Sequence, residues 1–170
     1  MFSYRQATLE DLETVWDYHI SQNPGDDRYL RWRQQYIGRN RNGEAVTFVA
    51  LCDALPIAEV TLDYHASGYS GNRELLADGK TKAYVTALRI LRPDFEGQGH
   101  CSALMRELEN YARRQGFSQL SIGVEAAESR NLAIYLHWGY TCFLMAETDC
   151  GETVLFYAKQ LSTPCEPTTE

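Results

Sequence analysis

Residues 94–116 read DFEGQGHCSALMRELENYARRQG, with Gly97 and Gly99 one residue apart directly before a strongly patterned stretch. Glycines at that spacing weaken any regular element, because they lose the most backbone freedom on being fixed. The pair therefore marks a turn. Beyond it Leu104, Met105, Leu108, Tyr111 and Ala112 recur at helical spacing and define one apolar face. Gly116 stands where a helix commonly ends. Ahead of the pair, KAYVTALRIL (82–91) reads as a strand. The chain must thus place a strand, a glycine turn and a helix in succession. The first amides of a helix lack internal acceptors and carry the positive end of its dipole, so such a turn can hold an anion. Residues 97–102 run Gly-Gln-Gly-His-Cys-Ser. They lack the Gly-Lys-Ser/Thr of a nucleotide loop and the third glycine of a dinucleotide turn.

The other elements follow from the same patterns. FSYRQA (2–7) predicts a strand, and Thr8 with Asp11 three residues on predicts an approximate capping box. Leu9, Leu12, Val15 and Trp16 then mark a helix to about Ile20, and Tyr29, Trp32 and Tyr36 give a short second helix an aromatic face. AVTFVALC (45–52) and IAEVTLDYH (57–65) are strands joined by a tight turn, and residues 66–80 are a polar insertion. LSIGV (120–124) is a strand, SRNLAIYLHW (129–138) a helix stopped by Gly139, and TCFLMAE and ETVLFYAKQL two last strands. The order is β-α-α-β-β-β-α-β-α-β-β. It predicts an α/β (α+β) chain with a central mixed, mostly antiparallel sheet of about seven strands and about four helices.

Composition limits the function. The formal net charge of −7 argues against nucleic acid as partner, since phosphate binding needs a basic footprint. No apolar run approaches the roughly 18–20 residues that span a bilayer, and the first residues carry no secretory pattern. Five scattered cysteines without a CxxC pair favour reduced thiols over a zinc site or a disulfide framework. The expectation is a cytoplasmic, metal-free, single domain over residues 1–160, with 161–170 a disordered tail.

The segment ILRPDFEGQGHCSALMRELENYARRQGFSQLSIGV resembles the acetyl-CoA-binding core of the GNAT superfamily of N-acyltransferases, with Pro93, Phe95, Gly97, Gly99 and Gly116 in place. Roughly 40 residues beyond the glycine pair, AIYLHWGY resembles that family's second signature, with Tyr135, Gly139 and Tyr140 in register. Departures are Glu96 where the family usually has Arg or Gln, Cys101 where it has Gly or Ala, and Glu128 where it has Asn, leaving Asn131 nearest to that role.

The resemblance implies a twisted GNAT-like sheet and acetyl-CoA as co-substrate, without metal. The cofactor would lie against the backbone around Arg89 and Leu91, against Glu96, Gly97, Gln98, Gly99, His100, Cys101 and Ser102, and near Asn131. Tyr135 would protonate the leaving thiolate. Glu59, which interrupts an apolar alternation, is the first choice of base for the amine, with an outward-facing strand carboxylate as the plain alternative. Asp63 and His65 share its strand face as substitutes or ammonium partners. His100 reads as an exposed loop residue, and the Tyr29–Trp32–Tyr36 face as either core or a wall of the acceptor cleft. Asp26 and Asp27 could draw a cationic acceptor.

The expected reaction is acetyl transfer to a primary amine of a small molecule or peptide, by direct attack in a ternary complex. Polyamines and aminoglycosides are among the candidate acceptors, and a homodimer stays open. A non-catalytic CoA-binding or sensor domain is the alternative reading. A cysteine-based transfer through Cys101 is the weakest, for want of a His–acid pair.

Overall fold

A computed structural model of the chain describes residues 1–67, 73–149 and 151–161. Residues 68–72 of the glycine-rich insertion, Cys150, and residues 162–170 of the predicted tail with Cys165 lie outside the described residues. Seven strands, β1 (Phe2–Gln6), β2 (Ala45–Cys52), β3 (Leu55–Asp63), β4 (Lys82–Ile90), β5 (Gln119–Glu125), β6 (Cys142–Asp149) and β7 (Glu152–Gln160), form one sheet in the order β1-β2-β3-β4-β5-β7-β6. β4 and β5 run parallel, whereas β1/β2, β2/β3, β5/β7 and β6/β7 are antiparallel. Among the described residues five α-helices accompany them: α1 (Leu9–Gln22), α2 (Arg28–Arg41), α3 (Arg73–Leu76), α4 (His100–Arg114) and α5 (Ser129–His137). The expected count of about four missed α3, a single turn inside the polar insertion. Its Leu76 is buried, and its carbonyl accepts from the hydroxyl of Ser121 at 2.7 Å.

Two compact units emerge from the contact pattern, Met1–Asp63 with Thr86–Leu108, and Tyr64–Val85 with Glu109–Glu170. In the first, α1 begins with the capping box that the sequence announces. Thr8 Oγ1 accepts from the Asp11 amide at 3.2 Å, and Asp11 Oδ2 accepts from the Thr8 amide at 2.7 Å. The helix buries Leu12, Val15 and Trp16, which pack with Ile37 of α2 and with Val49, Leu51 and Leu91. β2 and β3 are buried along nearly their whole lengths. In the second unit, Ala66, Leu76, Ala77, Tyr84 and Phe156 form a core cluster. Lys159 Nζ there reaches both oxygens of the buried Glu109 at 2.8 Å, and the Tyr140 hydroxyl donates to the same carboxylate at 3.3 Å.

The cap gives a first testable consequence. Burial alone would raise the Asp11 carboxyl, but hydrogen bonds from Arg5 and from the backbone and side chain of Thr8 hold it below its usual value. A depressed carboxylate stabilises the fold above its unfolded pKa and loses that contribution as pH falls through its folded one. Asp11→Ala should cost about 1–2 kcal/mol at neutral pH. The stability gap to the parent, measured by urea unfolding, should narrow below about pH 4. An equal gap at both pH values would refute this account of the cap.

Candidate functional site

The polar groups of the first unit are set by a strand with no solvent face. β3 is buried on both sides, so the acidic residues that interrupt its apolar pattern must find partners within the protein. Glu59, Thr61 and Asp63 alternate onto one face, and the partners come from the helices and from neighbouring strands. Thr61 Oγ1 meets Thr47 Oγ1 at 2.8 Å, and Asn40 of α2 donates to Thr47. Asp63 pairs with Arg39 of α2. Glu59, only 1% exposed, accepts at Oε1 from Arg89 Nε at 2.6 Å and lies 3.0 Å from His19 Nε2. Its second oxygen, Oε2, is buried with no hydrogen-bond partner.

Trp16 closes this cluster. Its indole is 2% exposed with Nε1 unpartnered, its ring lies 5.3 Å from that of His19, and the Arg89 guanidinium sits 5.6 Å over its face. The outward-facing alternative for Glu59 is therefore overturned, because a two-face-buried strand offers no solvent side. His19 and Trp16 are the residues the sequence reading missed. The signal available was weak, a histidine three residues after a tryptophan on the apolar side of α1. His65, expected on β3, lies beyond its end and is exposed, with its ring against Gly79.

The glycine turn takes the form expected of it. A 3-10 turn at Pro93–Phe95 leads from β4, and Gln98 Nε2 donates to the Asp94 carbonyl at 2.7 Å. Gly97 and Gly99 adopt φ of +72° and +85°, a region open to glycine, and a Cβ on either would meet nothing within 4 Å. The Gly99 carbonyl accepts from Ala103 at 3.0 Å, which leaves the amides of His100, Cys101 and Ser102 as the unpaired first turn of α4. No acidic residue occupies that first turn, and Glu96 is exposed ahead of it. Backbone donors with open space above them suit a phosphate-bearing ligand.

His100 is buried rather than exposed, at 3%. Its Nδ1 lies 2.9 Å from the Tyr4 hydroxyl, and its ring packs against Phe2 and Phe95. Residues of β1, distant in sequence, cover it. Cys101 and Ser102 are half-buried, and burial pushes the Cys101 thiol up, away from the reactive thiolate.

Leu91, expected to face the ligand arm through its backbone, is buried and donates its N–H to the Ile57 carbonyl at 2.8 Å. Two residues before Arg89, Ala87 takes φ of +53° within β4, a strained value for a residue with a Cβ. The parallel register of β4 with β5 runs from Lys82 to Val85.

In the second unit, Asn131 donates to Glu128, the residue that occupies the N-cap of α5. Tyr135 is half-buried on α5, its ring 5.9 Å from Trp138, and its carbonyl accepts from the Tyr140 amide at 3.0 Å. The aromatic stripe of α2 divides. Tyr36 packs on Trp16, Tyr29 lines the same cluster, and Trp32 is 37% exposed. Asp26 is neutralised by Arg28. Among the described residues no group of three or more His, Cys, Asp or Glu could hold a metal, and no helix is long and apolar enough to cross a membrane.

Residues 5–140 match the family model described as Acetyltransferase (GNAT) family. No curated protein matches the chain. Among solved structures, it is similar to PaiA N-acetyltransferase from Thermoplasma acidophilum in complex with coenzyme A (18% identity, TM-score 0.61, covering 94% of this chain and 99% of that one). It is similar to yncA, a putative acetyltransferase from Salmonella typhimurium with its cofactor acetyl-CoA (15% identity, TM-score 0.71, 100% and 99% covered). A third is ribosomal-protein-alanine N-acetyltransferase from Brucella melitensis (19% identity, TM-score 0.68, 94% and 99% covered). At such identities the likeness is one of fold.

Proposed function

The chain belongs to the acetyltransferase (GNAT) family, and on that premise we propose that it moves an acetyl group from acetyl-CoA to a primary amine of a small molecule or peptide. Acetyl-CoA supplies the acetyl group already activated as a thioester. The observation that carries the reading is the Gly97–Gly99 turn, where two positive-φ glycines bring backbone amides to open space at the head of α4. The turn would hold the pyrophosphate, with Glu96 directed to solvent. Two of the structural neighbours are described with coenzyme A or acetyl-CoA, which supports the same ligand here.

The acceptor arrives as an ammonium and must lose a proton before its nitrogen can form the amide bond. As the C–N bond forms the C–S bond breaks, and the sulfur leaves with the electron pair. Per turnover the amine nitrogen gives up two protons, the sulfur takes one, and one goes to solvent. Glu59 supplies the fixed negative charge toward which the first proton is drawn. Tyr135 supplies the proton for sulfur, supported by its register with the family's second signature. Asn131, tied to Glu128, would lie against the bound cofactor.

Family membership favours catalysis over a binding-only role. A single acyltransferase domain over residues 1–160 and a cytoplasmic setting belong to the same proposal. The irregular spacing of the five cysteines, with no CxxC pair, supports the setting. A panel of amines, from polyamines and aminoglycosides to peptide N-termini, tests the whole reading through release of free CoA thiol. Acceptor-dependent release is expected. CoA binding without release across the panel would point instead to the sensor reading.

A further inference from the structure

We infer that His19 is the group that takes the acceptor's proton, through Nδ1, and that Glu59 is a positioning residue behind it. This rests on the acetyl-transfer reading and assigns the base within it. Glu59 cannot meet an incoming amine itself. Its Oε1 is shared between Arg89 and His19, and its Oε2 is sealed from solvent.

The geometry fixes the imidazole instead. A carboxylate paired with an arginine accepts, so Nε2 is the donor of the 3.0 Å contact, and in a neutral ring it is the nitrogen that carries the proton. The lone pair is then on Nδ1. Among the described residues no group hydrogen-bonds Nδ1, and the side chain is 12% exposed. A buried carboxylate that fixes the tautomer and leaves the opposite nitrogen open is the logic by which acid–histidine pairs make a general base.

The neighbours are arranged to keep the ring in place. Trp16 and Tyr18 of α1 flank it, at 5.3 and 6.3 Å between ring centroids. The charged groups that meet it are Glu59 from β3 and, through Glu59, Arg89 from β4, whose side chain is 37% exposed. Arg89 and His19 share the same carboxylate oxygen, Oε1. In the step assigned to it, the N–H bond of the ammonium breaks, the electron pair stays on the amine nitrogen, and Nδ1 gains the proton. Solvent then removes that proton as the ring returns to neutrality.

The test combines a spectroscopic and a kinetic readout on the full chain. Long-range proton–nitrogen NMR of the free protein should show neutral His19 with its proton on Nε2, the signal being assigned by its loss in His19→Gln. A proton on Nδ1 overturns the proposal. His19→Gln keeps a donor for Glu59, so its melting temperature and its affinity for acetyl-CoA should stay near the parent's. Its turnover should fall about 10²–10⁴-fold, the usual range for a lost general base. With a lysine-like acceptor, the variant's kcat/KM should depend more steeply on hydroxide than the parent's. Added imidazole should restore part of the lost rate. Parent-like turnover in a folded His19→Gln overturns the assignment. If the parent itself acetylates no amine, the acetyl-transfer reading falls first, and the NMR result shows separately whether the pair is built as described.

Discussion

Tyr135→Phe is expected to lower turnover by about 10²–10⁴-fold while leaving acetyl-CoA affinity and melting temperature close to the parent's. The side chain is half-buried on α5 with its ring beside Trp138. Phenylalanine keeps that ring contact and removes only the hydroxyl. A phenol remains protonated at neutral pH, with an ordinary pKa near 10, and can donate to a thiolate whose conjugate acid lies near 8.5. A donor to the departing sulfur acts mainly as the C–S bond breaks, so its loss should appear in kcat and hardly in binding. A folded variant that acetylates at the parent's rate, with chemistry rate-limiting, would reduce Tyr135 to a packing residue.

Gly99→Val should weaken CoA binding at least about tenfold, some 1.4 kcal/mol, when followed by calorimetry. Two effects act together. The backbone at φ +85° is costly for a residue with a Cβ, and more so for a β-branched one. The Cβ would meet no protein atom within 4 Å, so the added bulk enters the open space assigned to the ligand and not the core. Gly99→Ala carries the backbone cost with less bulk and separates the two effects. It should bind CoA better than the valine variant. Unchanged affinity for Gly99→Val, with helical content intact, would remove the pyrophosphate from this turn.

Local patterns were legible in the chain because their cause is local. The apolar positions of α4 were predicted from spacing, and Leu104, Met105, Leu108 and Ala112 are all buried. The Thr8–Asp11 cap and the positive φ of the paired glycines follow from residue chemistry within a few positions. The cluster at Glu59 was not legible, because its partners lie 40 and 30 residues away at His19 and Arg89. Period-2 alternation suggested a solvent face for Glu59, yet β3 has none. Strand alternation tells which residues share a face but not whether both faces are covered. His100 misled for a related reason, since Phe2 and Tyr4 of β1 bury a residue that the glycine turn alone would expose. The single turn of α3 had too few residues to show a period.

The central claim is direct transfer from acetyl-CoA to an amine, with no acyl group stored on the protein. Cys101 is the side chain that could offer a covalent route, but its burial raises the thiol and works against it. A single-turnover reaction with acetyl-CoA carrying an isotopic label in the acetyl group, followed by mass spectrometry of both protein and acceptor, tests this most directly. The label should pass to the acceptor nitrogen in step with release of CoA thiol, and the quenched protein should remain unlabelled at every time point. Label that appears first on the chain, at Cys101 or elsewhere, and then moves to the acceptor would contradict the account.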